Sequence, residues 1–431
     1  MADVLPFRGL RYAPDVVGSL SDVLCPPFDV ISSQLQDKLH DLSDYNAVRL
    51  ELGRPAESSL DVYASAANLF ASWKNSGALV REKTPSFYLL RHRFPDAEGF
   101  LRERWALTGA VRLQEFNRRI VLPHEETLGA PKKDRMALME ACNSNFSPVM
   151  ALYRKGSVAE IASNVAKNSL GVEIPYLKGE DLEQWVVTDP EFISLVRDGL
   201  KDIPLFIADG HHRYETALLY RDRLRERSSG WAENEAYNFV MMTLIDFDDP
   251  GLVVGSYHRT LGGLTTSALS NLRERLMDVF HAEPFLEASA NPDTLVRAVI
   301  ERNKHTPTLG LLGMDGKSPY LLSLPSRVDH KSVTTHGALA SYEGSVLQEA
   351  VLNPVLGSST EHHTSFTHDS YEAWKSVIEG QKQLAFFQRP FPLDLFEAVV
   401  SEGALLPPKS TYFYPKFPTG LVFNSLEGTI F

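Results

Sequence analysis

The sequence predicts a multi-lobed protein of the mixed α/β (α+β) class. Short apolar runs bounded by Gly, Pro or Asp alternate with amphipathic, helix-like stretches along the whole chain. No internal repeat or low-complexity tract interrupts that alternation. The 431 residues correspond to about two to four domains at roughly 100–200 residues each.

The chain opens irregularly, because Cys25-Pro26-Pro27 fits neither a helix interior nor a central strand. Ser59 to Ser76 reads as a helix with Leu60, Tyr63, Ala67, Phe70 and Trp73 on one face and Gly77 as its stop. Ser86–Phe94 and Trp105–Leu113 read as paired strands joined through Asp96–Gly99. Val121-Leu122 is expected as a strand end, Lys132–Cys142 as a helix, Val149–Tyr153 as a strand and Pro190–Leu200 as a helix. The clearest switch follows. Ile203–Ala208 is an apolar strand, Asp209-Gly210 a turn, and His211–Arg227 a helix turning Tyr214, Ala217, Leu218 and Leu224 inward. Strands are expected at Asn238–Asp246 and Leu252–Tyr257. Thr266 to Leu324 reads helix, strand, helix, strand, strand. Helices at Ser345–Val355, Ser370–Gly380 and Pro392–Glu402 and a strand at Gln383–Phe387 complete the chain. Boundaries near 118, 258 and 340 divide it into an N-terminal α/β lobe (1–118), a central core (119–258), a small α/β lobe (259–340) and a C-terminal α/β segment (341–431) that completes the pocket.

Composition excludes several classes. A 43% hydrophobic and 23% charged chain is globular rather than disordered. The 27 Gly and 26 Pro are scattered without period, which excludes collagen-like arrays. Net charge is −12, which disfavours nucleic acid as a partner but allows a local basic pocket for one phosphorylated ligand. Cys25 and Cys142 are too few for a disulfide framework or a cysteine zinc site and read as packing residues. Met1 to Arg11 lacks a signal-peptide core, and even Phe239–Ile245 is only strand length, so no membrane association and a cytoplasmic location are expected.

The strongest chemical motif is Asp209-Gly210-His211-His212-Arg213, between an apolar strand and a helix. The first helical turn leaves N–H groups unpaired and carries partial positive charge. Gly210 permits close backbone approach, and His211, His212 and Arg213 add donors, which together suit a phosphate. Asp209 is then a candidate Mg²⁺ ligand or proton acceptor. A bare N-cap with solvated neighbours is the plainer alternative, but capping alone needs no run of three imidazole and guanidinium groups. Pro123-His124-Glu125-Glu126-Thr127, followed by Lys132, Lys133 and Arg135, offers a carboxylate base beside a His and cations; by itself it is equally an acidic surface loop. Gly403 to Ser410 matches phosphate-loop spacing superficially, but Pro408 replaces the second glycine and no helix pattern follows, so it is rejected. Lys409, Ser410 and Lys416 remain candidate anion contacts, with surface lysines as the alternative. Glu361-His362-His363 with His368 and Asp369 is read as structural, since adjacent residues of a strand point to opposite faces.

Several long motifs carry a resemblance. Pro6-Phe7-Arg8-Gly9-Leu10-Arg11-Tyr12, Pro26-Pro27-Phe28-Asp29-Val30, Leu122-Pro123-His124-Glu125, Ala208 through Ala217, and Pro408 through Lys416 resemble the uncharacterised family DUF1015 over the whole chain. The turn that opens the helix at His211 is also similar to the signature of the ParB/sulfiredoxin superfamily, which includes free-serine kinases. That resemblance implies a ParB/sulfiredoxin-like mixed sheet at 119–258, with phosphates cradled by Gly210, His211, His212 and Arg213. It gives Glu125 the role of base and Asp209 a catalytic one. Sulfiredoxin has a cysteine where this chain has His211, so sulfinic-acid repair is not expected. The DNA binding of ParB proteins is opposed by the −12 charge.

The expected activity is a nucleotide-dependent small-molecule kinase, using ATP or ADP with Mg²⁺ and phosphorylating free L-serine. Glu125, Asp209 and His212 are its expected catalytic residues, and Asp209 its metal ligand. Gly210, His211, His212, Arg213, Lys409 and Ser410 are expected on the nucleotide. Arg8, Asp29, His124, Lys132 and Lys416 are expected on the substrate. A phosphatase or nucleotide hydrolase using the same residues, and a non-catalytic nucleotide-binding regulatory module, are the alternatives. A homodimer is compatible with all three.

Overall fold

The computed structural model describes residues 2–54, 61–125, 127, 129–154, 158–177, 179–288, 291–325, 337–407 and 409–430. They form two compact units, Met1–Val253 with Pro415–Phe431, and Val254–Tyr414. The class is mixed α/β, as the alternation of periods predicts. Among the described residues no helix is long and apolar enough to cross a membrane.

The first unit is built on a nine-stranded mixed sheet. Its order is Val121–Leu122, Leu205–Asp209, Val149–Tyr153, Phe239–Asp246, Leu101–Arg112, Phe87–Pro95, Asp181–Val187, Val172–Pro175, and Val4–Leu5 pairs as a further strand with Leu101–Arg112. Leu205–Asp209 runs parallel to Val121–Leu122, and Phe239–Asp246 parallel to Val149–Tyr153; the other pairings are antiparallel. Val149–Tyr153 and Phe239–Asp246 are buried at every position, which explains their continuous apolar runs. Helix His211–Arg227 packs Tyr214, Ala217 and Leu218 into the core below this sheet, together with Met136 and Met139 of helix Gly129–Cys142.

Local chemistry explains the boundaries. Helix Val62–Asn75 starts at Asp61, whose carboxylate accepts the Ala64 amide at 2.7 Å; the Ser59 and Leu60 expected ahead of it lie outside the described residues. Helix Pro190–Leu200 has Asp189 as cap and Pro at its first position. Helix Ser33–Leu42 and the strands Val172–Pro175 and Asp181–Val187 are additions to the sequence reading.

The second unit holds a six-stranded antiparallel sheet, ordered His281–Pro284, Pro319–Ser323, Thr308–Leu312, Leu384–Phe387, His258–Leu261, Thr364–Thr367. Two expectations are corrected here. The single helix expected over Ser345–Val355 is an α-turn at Glu343–Val346, a π-segment at Leu347–Leu352 and a second α-turn at Asn353–Leu356. Pro354 has no N–H to give, so the regular ladder cannot run through it. Glu361-His362-His363 is not a strand; Thr360–His363 is one helical turn, and His363 Nδ1 lies 3.0 Å from the Gly262 carbonyl. The positions expected as boundaries near 118 and 340 fall inside a unit, because each sheet takes strands from both sides of them.

Ile207 is completely buried in the strand that leads to the Asp209-Gly210 turn. Ile207→Ala is expected to destabilise the first unit by about 2–5 kcal/mol. Urea unfolding followed through the Trp105–Trp185 stack, in which Trp185 is buried and Trp105 half-buried, checks it, as a lowered midpoint.

Candidate functional site

Strand Leu205–Asp209 carries an irregularity where it ends. Ile207 pairs with Ala151, but Asp209 pairs with Met150, so Ala208 is the extra residue of a bulge. A bulge re-aims the side chain that follows it, and here that side chain is Asp209. Gly210 comes next with φ +92°, the left-handed region, as the N-cap of helix His211–Arg227. The conformation requires glycine, and a Cβ at Gly210 would sit 2.9 Å from Arg213 Nε, so it would also displace the Arg213 head group.

Arg213 turns back over the glycine. One Nη donates to the Pro148 carbonyl and the other pairs with Asp209 Oδ2. Asp209 Oδ1 faces the Lys416 ammonium at 2.8 Å, and the same ammonium pairs with Asp29. Burial alone would lower the Lys416 pKa; Asp209 and Asp29 outweigh it and hold the ammonium above the ordinary lysine range. Four of the expected site residues, Asp29, Asp209, Arg213 and Lys416, therefore meet in one charge-balanced cluster.

A second group adjoins the turn. The His124 N–H donates to His211 Nε2 at 3.1 Å, so the neutral His211 ring carries its proton on Nδ1. Burial, then the neighbouring His124, pulls the His211 pKa down to about 3, and the ring is neutral at neutral pH. His124 Nδ1 lies 2.6 Å from the Ile207 carbonyl and must be the donor there, which leaves Nε2 facing Glu125 Oε1 at 3.6 Å. One ligand atom from each of His124, Glu125 and His211 lies within 4.8 Å of the others, and among the described residues this is the group that could hold a metal. His124 is set up as ligating histidines are, with its other nitrogen on a carbonyl. His211 is not, because its Nε2 lone pair is spent on the amide. The His124 side chain is 1% exposed and Glu125 17%, so Glu125 reaches the surface of the site and His124 stands behind it.

The remaining expected residues separate. Lys132 Nζ lies 2.8 Å from Glu215 Oε2, which also accepts from Thr127 Oγ1 at 2.5 Å. His212 is half-buried on the first turn of the helix. Glu126 and Pro408 lie outside the described residues. Arg8 is exposed and its Nε donates to the Glu82 carbonyl at 2.9 Å; among the described residues no hydrogen bond or ion pair joins it to Asp29, Asp209 or Glu125. Lys409 and Ser410 belong to the second unit. There Ser410 Oγ donates to the Pro407 carbonyl at 2.6 Å, and Lys409 Nζ sits 5.6 Å from the Tyr257 ring centre.

Sequence reasoning missed three participants. Glu215 lies one helical turn beyond His211, a spacing that could have revealed it. Glu51 and the Pro148 carbonyl carry no local signal. Glu51 pairs with Arg135 at the edge of an open cleft of about 400 Å³, whose wall includes Ser144, Asn145, Ser147 and Arg213. Arg213 thus lies between the turn and this cleft.

The chain belongs to the family described as protein of unknown function (DUF1015), whose model matches residues 4–346. No curated protein matches it. Similar solved structures include a free serine kinase mutant in complex with ADP, at 12% identity, covering 70% of this chain and 89% of that one, with a TM-score of 0.35. A conserved hypothetical protein from Pyrococcus furiosus gives 12%, 70%, 92% and 0.35 for the same quantities. SbnI with a C-terminal truncation, from Staphylococcus aureus, gives 10%, 75%, 87% and 0.35. Likenesses this weak carry no functional conclusion for this chain.

Gly210→Ala is expected to cost about 1–2 kcal/mol from the left-handed backbone alone, read as a lower Tm. For His211, the ring is neutral in folded and unfolded chains above pH 6.5. As the pH falls below 6.5 the unfolded chain binds a proton that the folded one refuses until about pH 3. Stability is therefore lost across that interval, by up to about 1.4 kcal/mol per pH unit. His211→Gln, which keeps an acceptor for the His124 amide, is expected to flatten this acid limb in urea titrations between pH 7 and 4.

Proposed function

We propose that the protein is a nucleotide-dependent phosphotransferase acting on the hydroxyl of a small molecule, with free L-serine as acceptor and ATP or ADP as donor. One observation supports this above the others: the Glu125 carboxylate lies within 4.8 Å of a ring nitrogen of His211, in the first turn of the helix after Gly210. A candidate base and a candidate phosphate cradle thus adjoin although they come from separate stretches of chain.

The chemistry follows from the residues. Phosphate oxygens meet the first N–H groups of helix His211–Arg227. Arg213 exchanges its pairing with Asp209 for a pairing with phosphate, a charge-assisted contact that a guanidinium makes in bidentate form. Asp209 and Asp29 offer the oxygen donors that Mg²⁺ takes, and Asp209 is the residue that would hold it. Bound there, Mg²⁺ would neutralise phosphate charge. Glu125 accepts the acceptor's hydroxyl proton while the hydroxyl oxygen forms the new bond to phosphorus. The bond from phosphorus to the leaving nucleotide breaks, and the electron pair leaves with the nucleotide. His124, behind Glu125, presents Nε2 to the carboxyl group once it is protonated. Positioning and charge stabilisation supply most of the barrier reduction in such a transfer.

The test is a steady-state assay of the full chain with Mg²⁺, ATP or ADP and a panel of hydroxy amino acids. O-phosphoserine formation is expected, and Glu125→Gln is expected to slow it by about 10²–10⁴, the usual worth of a general base. Asp209→Asn is expected to slow it as well. Absence of phosphoserine with either donor, or unchanged turnover in both variants, rejects the proposal. Phosphate release without acceptor would identify a hydrolase, and nucleotide binding without product a regulatory module.

A further inference from the structure

We propose that Arg104 is a positioning residue: it clamps the Pro415–Phe417 segment so that Lys416 stands between Asp29 and Asp209, and thereby sets the anion affinity of the Gly210–Arg213 turn. The first part rests on geometry alone; the second rests on the phosphate-binding reading of that turn.

Arg104 is completely buried, on strand Leu101–Arg112. Its Nη2 donates to the Pro415 carbonyl at 2.7 Å, and its guanidinium lies 4.5 Å from the Phe417 ring centre and 5.3 Å from that of Phe94. The residues on either side of Lys416 are thus both held by one guanidinium, one through its backbone and one through its ring. A planar guanidinium can donate in its plane and stack on its face at once, which an ammonium cannot do.

Arg104 is itself fixed from behind. His92 stands directly opposite it across the paired strands, and Nη2 also approaches His92 Nδ1 at 3.3 Å. Arginine can only donate, so His92 Nδ1 is the acceptor and Nε2 carries the proton, which it gives to Glu180 Oε2 at 2.8 Å. Burial brings the His92 pKa down to about 4, consistent with that neutral tautomer. Glu180, His92 and Arg104 therefore form a directed chain ending on the backbone beside Lys416.

Lys416 neutralises Asp209 on the side that Arg213 does not cover. If the segment shifts, Asp209 loses the Lys416 ammonium, and the negative charge no longer offset by it both holds Arg213 more tightly and repels an incoming anion. Arg104 would then act on the turn without touching what binds there.

The experiment uses the full chain and two readouts. In the first, acetic anhydride labelling followed by peptide mass spectrometry compares Lys416, whose side chain is 8% exposed, with other lysines of the same sample. Arg104→Lys, which keeps the charge but loses the fork, is expected to raise labelling of Lys416 at least several-fold relative to the others. Unchanged labelling overturns the clamp. In the second, calorimetry with ADP places Arg104→Lys, Lys416→Met and the double variant in one cycle. Each single change is expected to weaken ADP by about tenfold or more, and Arg104→Lys to add nothing once Lys416 is gone. Additive losses overturn the claim that Arg104 acts through Lys416. Phe417→Leu repeats both measurements should Arg104→Lys not fold. If the wild-type chain binds no ADP, the nucleotide reading fails while the labelling result still decides the clamp.

Discussion

A buried ammonium has to be answered by carboxylates, and Lys416 is answered by two. Moving an ion out of water costs several kcal/mol even after the protein relaxes, and only close partners offset it. Asp29 and Asp209 do so, and the consequences spread outward. Asp209 is available because the strand bulges at Ala208 and turns at Gly210. Its second oxygen is covered by Arg213, which reaches back one turn and also secures the Pro148 carbonyl. Lys416 and Asp209 are the two shared members of this chain of charges, so a change at either one disturbs two pairings at once.

Buried imidazoles follow the opposite rule. His211, His92 and, in the second unit, His258 are all shifted down by burial. A neutral ring has one donor and one acceptor, so each can relay direction along a hydrogen-bond chain without adding charge. His124 receives its orientation from the Ile207 carbonyl and turns Nε2 toward Glu125. Charge is concentrated on Asp29, Asp209, Arg213 and Lys416, and the hydrogen-bonded rings beside the turn supply direction.

The turn was legible in the sequence because all its determinants are local. An apolar run, a glycine and a cationic start to an amphipathic helix sit within a few residues of one another, and strand Leu205–Asp209 and helix His211–Arg227 emerge nearly as read. The adjacency of Glu125 to His211 was not legible, since it depends on Val121–Leu122 pairing in parallel with Leu205–Asp209. The Arg104–His92 contact depends on strand register, which a pattern of alternating residues does not number. Helix Ser33–Leu42 was missed because its polar sequence buries little, only Leu39 and His40. The π-segment at Leu347–Leu352 was missed because helical periodicity does not distinguish a widened turn from a regular one.

The pairing of Lys416 with Asp29 spans 387 positions of sequence. During synthesis the strand, the turn and the helix that follow from Leu205 leave the ribosome long before Lys416 exists, so a nascent chain forms the Asp209–Arg213 pair without Lys416. Closing so long a loop costs little more than closing half of it, about 0.6 kcal/mol per doubling, so lateness is no thermodynamic burden. It is an ordering in time: the charge cluster becomes complete only after synthesis has passed Lys416.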